Sequence, residues 1–178
     1  MIINQFRSLI EDFRFYSECK KYKFLTFLNL NLYINILFRI SHIFYHYNMF
    51  PIAKLFWLIQ RLVFCVDIDP GAKLSGGLQI IHGIGIVIGR NVRSLGRLTI
   101  YHGATIGGNN NKVRVYNGFE LSQPLIEENV TIGIHSAVLG PILVGKNSKI
   151  GVNAIVTKDV EPNSIMISNN KSLVSLKN

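Results

Sequence analysis

Histidine is the side chain best suited to move a proton near neutral pH, and this sequence contains five of them. His82 lies in the segment IIHGIGIVIG, and His102 follows 20 residues later in LTIYHGATIGG. A neutral imidazole can remove a proton from a hydroxyl or amine that attacks a carbonyl carbon. His82 is therefore considered for acid–base catalysis, and His102 for a place in the same cleft. Structural roles are expected for His42, His46 and His135.

The sequence indicates neither a cysteine metal site nor a dinucleotide-binding loop. Its two cysteines, Cys19 and Cys65, lie far apart and outside any CxxC pattern. The glycines of GIGIVIG have the spacing GxGxxxG instead of the GxGxxG that binds dinucleotides. We therefore expect no metal and no dinucleotide in the functional site.

Apolar residues recur at every sixth position in the second part of the chain. The first run consists of Ile68, Leu74, Ile80, Ile86, Val92, Leu98 and Ala104, and the second of Ile126, Ile132, Val138, Val144, Ile150 and Val156. Such a hexapeptide repeat is typical of a β-helix, in which short strands turn at regular corners and stack aliphatic side chains inside. The sequence therefore predicts a mainly β fold, with the β-helix over residues 67–162.

The other segments have different patterns. Residues 1–66 form a predicted α-helical N-terminal region, with helices in 24–48 and 51–64 that polar residues interrupt too often for a transmembrane span. Residues 108–124 separate the two repeat runs and are too long for a corner, so they are expected to project as a loop. Residues 163–178 are expected to form a C-terminal tail.

The charge balance favours anionic partners. Lys and Arg number 19 against 10 Asp and Glu, which gives a net charge of +9. Nucleic-acid binding is not indicated, because the basic residues are scattered and match no RNA- or DNA-binding motif. The N-terminus lacks the apolar run and cleavage site of a signal peptide, so we expect a cytoplasmic protein. Peripheral association with the inner membrane face stays an alternative.

The run VDIDPGAKLSGGLQIIHGIGIVIGRNV, with FRISH upstream and ATIGG downstream, resembles the serine acetyltransferase branch of the hexapeptide acyltransferases. That branch includes capsule and exopolysaccharide O-acetyltransferases, and the likeness covers roughly residues 36–165. It implies a left-handed parallel β-helix, a homotrimer with active sites between subunits, and acetyl-CoA as co-substrate. By this resemblance His82 is the catalytic base and Asp67 orients it. Spacing alone does not pair them, since an ideal 18-residue coil stacks residue 64 against residue 82.

The sequence departs from the serine acetyltransferase pattern at two positions. An aspartate before the catalytic histidine and a second histidine before the later proline are replaced here by Ile81 and Gln123. Isoleucine offers no counter-charge for the ammonium group of serine. We therefore expect the acceptor to be a sugar hydroxyl in capsule, exopolysaccharide or O-antigen biosynthesis. Candidate acceptor-binding residues are His102, Gln123 and Asn109, although His102 equally fits a local distortion of its coil.

The resemblance also implies a slot for acetyl-CoA along the outside of the coils. The positions expected to line it are Gly107, Gly108, Gly133, Ile134 and Val152. Candidate partners for the phosphates are Lys158, together with Lys146, Lys149 and Lys171.

Other functions stay open at this point. Serine O-acetylation and N-acetylation of an amino sugar use the same chemistry on a different acceptor. A zinc enzyme like the γ-type carbonic anhydrases needs three protein ligands, and His82, His102 and His135 do not have that family's paired spacing. A β-helix that only binds a partner is the remaining alternative.

Overall fold

The structure is a computed structural model that describes residues 2–18 and 22–168. It begins with a helical region consisting of α1 (Ile2–Ser17), a 3-10 helix (Lys23–Leu28), α2 (Leu30–His46) and α3 (Phe50–Phe64). Asn29 is the N-cap of α2, and its side chain accepts a hydrogen bond from the backbone N–H of Asn31. No helix among the described residues is long and apolar enough to cross a bilayer.

Short strands make up the rest of the described chain. They are β1 (Asp67–Ile68), β2 (Leu78–Ile81), β3 (Val87–Ile88), β4 (Arg93–Ser94), β5 (Leu98–Tyr101), β6 (Thr105–Gly107), β7 (Arg114–Tyr116), β8 (Phe119–Leu121), β9 (Leu125–Ile126), β10 (Val130–Ile132), β11 (Ala137–Leu139), β12 (Leu143–Val144), β13 (Lys149–Ile150), β14 (Ile155–Val156) and β15 (Ile165–Met166).

Three parallel sheets form the faces of a β-helix. Face A has the order β1-β3-β6-β11-β14, face B has β15-β13-β10-β5-β2, and face C has β12-β9-β4. Because β15 pairs with β13 in face B, the coils extend beyond the boundary predicted at residue 162. Residues 169–178 of the predicted tail lie outside the described residues.

The segment predicted as a projecting loop contains a β-hairpin. Strands β7 and β8 pair in antiparallel register, and Asn117 and Gly118 form the turn with φ of 47° and 80°. Arg114 ties the hairpin to a later coil, because its Nη1 donates to Asp159 Oδ2 at 2.9 Å. The guanidinium of Arg93 lies 4.9 Å from the ring centroid of Phe119 on the other strand.

The spacing between paired strands of face A changes after the first coil, although the six-residue spacing of apolar residues does not change. Asp67 pairs with Val87, 20 residues later, whereas Val87 pairs with Thr105, 18 residues later. Two extra residues therefore lie between Ile81, where β2 ends, and Val87.

Apolar residues of the first run after this insertion are buried, but they belong to a different column than predicted. Ile100, not Leu98, stacks on Ile80. Ile88, not Ile86, stacks on Ile68. Each hexapeptide turns two alternate positions inward, so a period of six persists through either column.

Strand β2 is the edge strand of face B on the side of the helical region, and helices α1 and α2 bind the backbone groups that no neighbouring strand pairs. The N–H of Leu78 donates to Asp12 Oδ1 at 2.8 Å, and its carbonyl accepts from Asn35 Nδ2 at 2.7 Å. The Tyr16 hydroxyl accepts from the N–H of Ile80 and donates to its carbonyl, at 2.6 and 3.1 Å. Side chains thus replace the missing neighbour strand.

A buried ion pair holds this cap together. Arg39 Nε lies 3.1 Å from Asp12 Oδ2, and the two side chains are 2% and 0% exposed. Arg39 also donates to the carbonyls of Leu74 and Ser75 at 2.5 and 2.7 Å. Burial raises the pKa of Asp12, while Arg39 and the backbone N–H of Leu78 act to lower it.

We expect Arg39→Leu to lower the free energy of unfolding by about 3–5 kcal/mol, because Asp12 is left buried without its cation. Denaturant titration followed by circular dichroism measures the loss. The loss of stability in Arg39→Leu should become smaller toward acidic pH. Without Arg39, burial raises the pKa of Asp12 with less opposition, so Asp12 of the folded variant takes up a proton at a higher pH than Asp12 of the unfolded chain. Arg7→Leu removes an exposed arginine of α1 and should stay within about 0.5 kcal/mol of wild type. Equal losses in both variants would contradict the importance of the pair.

Candidate active site

Three histidines lie one above another at the corner where the chain passes from face B to face A. The ring centroids of His82 and His102 are 6.0 Å apart, and those of His102 and His135 are 5.2 Å apart, both edge-on. His82 and His135 are exposed, and His102 is half-buried between them. The β-helix thus brings together residues far apart in sequence. We call these three residues the histidine ladder.

The two-residue insertion displaces His82 from the regular corner. Corner residues of successive coils have left-handed backbone conformations, and they are Cys65, Gly85, Gly103, His135 and Asn153. His82 adds a second left-handed residue to its corner, with φ of 53°. A bulge therefore carries the imidazole into solvent.

Helix α2 holds the bulge in place. The N–H of Gly83 donates to Asn31 Oδ1 at 3.0 Å. A Cβ on Gly83 would come within 2.5 Å of Ile34 Cδ1, so the Ile34 side chain would have to shift to admit any other residue. The helical region thus positions the residue next to His82.

His102 sits on a regular corner, which removes one of the two explanations offered by the sequence. Tyr101 pairs with Ile81 and Gly103 occupies the usual left-handed position, so the distortion lies at His82 instead. The Nδ1 atom of His102 is buried and has no hydrogen-bond partner among the described residues. A Cβ on Gly103 would overlap the His135 ring. Acceptor binding by His102 stays a prediction.

The remaining two histidines lie on α2, outside the ladder. His42 Nδ1 is 2.7 Å from the carbonyl oxygen of Pro70. Burial lowers the pKa of His42, which favours the neutral ring. His46 is exposed near the end of the helix. No group of three or more His, Cys, Asp or Glu in residues 2–18 and 22–168 is arranged to hold a metal ion.

Asp67 lies just after the same corner, in the preceding coil, but its carboxylate contacts helix α3. Its Oδ1 accepts a hydrogen bond from Trp57 Nε1 at 2.8 Å, and its Oδ2 lies 3.6 Å from Arg61 Nη1. Within the described part of the chain, no hydrogen bond joins Asp67 to His82. Sequence analysis missed both partners of Asp67, because nothing in the six-residue pattern relates α3 to the coils.

Gln123 and Asn109, two of the predicted acceptor-binding residues, lie at the opposite edge of face A from the histidine ladder. The side chain of Gln123 covers Gly89, which follows strand β3. Asn109 packs against Gly140, which follows strand β11, with 3.3 Å between Asn109 Cβ and an ideal Cβ at Gly140. A single chain therefore does not join these residues to His82.

The positions predicted to line the acetyl-CoA slot divide between the same two edges. Gly133, Ile134 and Val152 lie at the edge of the histidine ladder. Gly133 has a packing requirement of its own, because a Cβ there would come within 2.6 Å of the carbonyl oxygen of Ile150.

Gly107 and Gly108 lie at the far edge, and the space around Gly107 is open to 4 Å. Lys158 is exposed and follows β14 at that edge. Lys146 and Lys149 are also exposed, whereas Lys171 lies outside the described residues.

Parallel hexapeptide coils with exposed imidazoles at one corner match the architecture expected of a left-handed β-helix acyltransferase. No family model matches the sequence. A serine acetyltransferase of Helicobacter pylori is 33% identical over 138 residues, which are 78% of this chain and 77% of that protein. The chain belongs to the serine acetyltransferase family.

A second relative and two solved structures agree. The serine acetyltransferase of Mycobacterium tuberculosis is 34% identical over 129 residues, and the match spans 54% of that longer protein. The crystal structure of Neisseria gonorrhoeae serine acetyltransferase in complex with serine has a TM-score of 0.82 and 27% identity, covering 93% of this chain and 67% of that one. The soybean apoenzyme has a TM-score of 0.81 and 25% identity, with 94% and 68% covered.

These comparisons contradict the predicted sugar acceptor and its place in polysaccharide biosynthesis. The relatives are named serine acetyltransferases, and the Neisseria structure holds serine. They establish the family and not its capsule branch. The error came from Ile81, whose missing counter-charge was taken to make serine a poor acceptor, so that serine O-acetylation was kept only as an alternative. Ile81 ends strand β2 beside Tyr101, and a counter-charge for an ammonium group can come from other residues of a cleft.

We expect Gly103→Ala to lower the free energy of unfolding by more than the about 1–2 kcal/mol cost of a left-handed alanine, because the new Cβ also displaces His135. Gly118→Ala is the matched control, since Gly118 has φ of 80° and nothing within 4 Å of its Cβ position. Adding His135→Ala to Gly103→Ala should remove the excess. Equal losses for the two single variants in thermal unfolding would disprove the tight packing of His135 over Gly103.

Proposed function

We propose that this protein transfers the acetyl group of acetyl-CoA to the hydroxyl of serine. The observation that carries the proposal is the exposed imidazole of His82 on an inserted bulge of a serine acetyltransferase fold. The family membership supplies the reaction class, and the relative solved with serine supplies the acceptor.

His82 is the general base of the proposed reaction. It removes the proton from the serine hydroxyl as the oxygen attacks the thioester carbonyl, giving a tetrahedral intermediate. Collapse of that intermediate breaks the carbon–sulfur bond, and the imidazolium returns the proton to the leaving CoA sulfur. An exposed ring fits this role, since substrate must reach the ring nitrogen from solvent.

Asp67 is proposed to supply negative charge that acts on the imidazolium, since it lies just after the same corner in the preceding coil. Trp57 and Arg61 restrain its carboxylate from the α3 side, at 2.8 and 3.6 Å. Asp67 thereby stabilises the positive charge that develops on His82 during attack, by the electrostatic logic of a catalytic triad without its serine.

A homotrimer completes the site. His82 and the pair Gln123 and Asn109 lie at opposite edges of face A, and such edges can meet when identical coils pack around a threefold axis. Exposed apolar side chains support this packing: Ile84 is 67% exposed and Ile155 75% exposed. His102 in one subunit then faces the same cleft as Gln123 of its neighbour.

Acetyl-CoA binds along the same cleft in this proposal. Its pantetheine arm runs past small or apolar positions drawn from both edges, which are Gly107, Gly108, Gly133, Ile134 and Val152. The exposed ammonium of Lys158 binds a phosphate. The net charge of +9 favours such an anionic co-substrate.

His82→Asn is expected to lower serine-dependent thiol release from acetyl-CoA by about 10²–10⁴-fold, because the general base is lost. His46→Asn changes an exposed histidine of α2 and should keep wild-type activity. Serine and nucleotide sugars are offered as separate acceptors. Serine that fails to stimulate thiol release would refute the proposed acceptor, and undiminished release by His82→Asn would refute the proposed base.

Asp67→Asn keeps the shape of the side chain and removes its charge. We expect kcat to fall by more than about tenfold while KM for serine stays near the wild-type value, because the carboxylate acts on the charged transition state. Steady-state kinetics with varied serine separates the two constants. A raised KM with unchanged kcat would instead assign Asp67 to serine binding.

A further inference from the structure

A cavity of about 250 Å³ lies between the helical region and the first two coils. Aromatic side chains from the helices form part of its wall, namely Tyr45, Phe50 and Trp57. Asp69 and Arg90 line it from the coil side. These two residues follow strands β1 and β3, so the cavity opens at the edge of face A away from the histidine ladder.

The aromatic wall is ordered by local packing. Tyr45 and Phe50 meet edge-on with 5.4 Å between their ring centroids. Gly71 keeps the adjoining space open, since a Cβ there would come within 2.6 Å of Arg90 Cγ and 3.3 Å of Tyr45 Cε1. A concave surface rich in aromatic rings suits a planar apolar ligand.

The charged groups at the cavity leave an excess of positive charge. Arg90 is paired, with its Nε 3.3 Å from both carboxylate oxygens of Asp69. Lys54 is exposed and forms no ion pair with a carboxylate of residues 2–18 or 22–168. The ligand that complements this cavity is therefore an anion.

One side chain connects the cavity to the proposed active site. Trp57 lines the cavity and also donates its indole N–H to Asp67 at 2.8 Å. The guanidinium of Arg61, the other partner of Asp67, lies 4.8 Å from the Trp57 ring centroid. Displacement of the Trp57 ring would thus change both contacts of Asp67.

We propose that this cavity is a regulatory site for a small aromatic carboxylate of one or two rings, which acts on acetyl transfer through Trp57 and Asp67. Its volume is below the about 300–1,000 Å³ of pockets that hold drug-sized molecules, which sets the size of the ligand. The ring lies against the aromatic wall, and the carboxylate pairs with Lys54. The regulatory part rests on the proposed role of Asp67, whereas the binding part does not.

Binding is measured with phenylacetate as the probe. Trp57 is the single tryptophan of the sequence and lines the cavity, so its fluorescence responds to a ligand bound there. Phenylacetate should change the fluorescence in a saturable manner, and phenylacetamide, its neutral analogue, should bind at least about tenfold more weakly. Lys54→Gln should weaken phenylacetate binding by a similar factor. Lys23→Gln, an exposed lysine of the 3-10 helix, should leave it unchanged.

Three results would overturn the binding site: no saturable change with phenylacetate, equal affinity for phenylacetamide, or equal affinity of Lys54→Gln and Lys23→Gln. None of these measurements depends on acetyl transfer. A protein that binds phenylacetate as described but does not acetylate serine would therefore refute the proposed function and leave the site standing.

Coupling to the reaction is tested at saturating serine and acetyl-CoA, where competition at the active site is removed. Phenylacetate should change kcat of the wild type at least about twofold, a smaller effect than the about 5–150-fold change in affinity of typical allosteric couplings. Trp57→Phe keeps an aromatic wall but lacks the N–H that reaches Asp67. This variant should still bind phenylacetate, as measured by calorimetry, but adding phenylacetate should leave the kcat of the variant unchanged. An unchanged wild-type kcat, or an equal effect in Trp57→Phe, would overturn the regulatory role.

Discussion

The terminal coil of a β-helix has a row of backbone groups with no neighbouring strand, and these groups must find partners when they are buried. Here the partners are side chains. Asp12, Tyr16 and Asn35 bind the N–H and carbonyl groups of β2 directly, and Arg39 joins Asp12 to two further carbonyls. The helical region is therefore a structural part of the β-helix, and the buried ion pair that unites α1 with α2 also closes its end.

The same helices shape the candidate active site. Asn31 of α2 fixes the bulge next to His82, and Trp57 and Arg61 of α3 fix the carboxylate of Asp67. The coils supply only a corner with a left-handed residue, which recurs throughout the described chain. The proposed base and its carboxylate thus lie in the first coils, where the helices are close enough to hold irregular backbone. The cavity beside Tyr45 arises from the same docking of helices on coils.

Much of the fold follows from the sequence, because aliphatic residues at every sixth position leave few alternatives to a β-helix. The two inward columns share that period, so the pattern could not reveal the insertion at His82. The Asn117-Gly118 pair is a hairpin turn signal that was available and overlooked. Contacts of Asp67 with α3 depend on helix docking, which local sequence does not encode. The acceptor was wrongly predicted because the charge of the whole cleft was inferred from one residue, Ile81, although many residues line such a cleft.

The insertion at His82 also bears on how such enzymes diverge. Removing two residues there would restore an 18-residue coil, and the inward positions before and after would keep their present side chains, which are mostly apolar. Selection for a stable core therefore does not oppose the change. Under the proposed role of His82, a catalytic β-helix and an inert one differ by a single short deletion, so hexapeptide proteins that share a core need not share an activity.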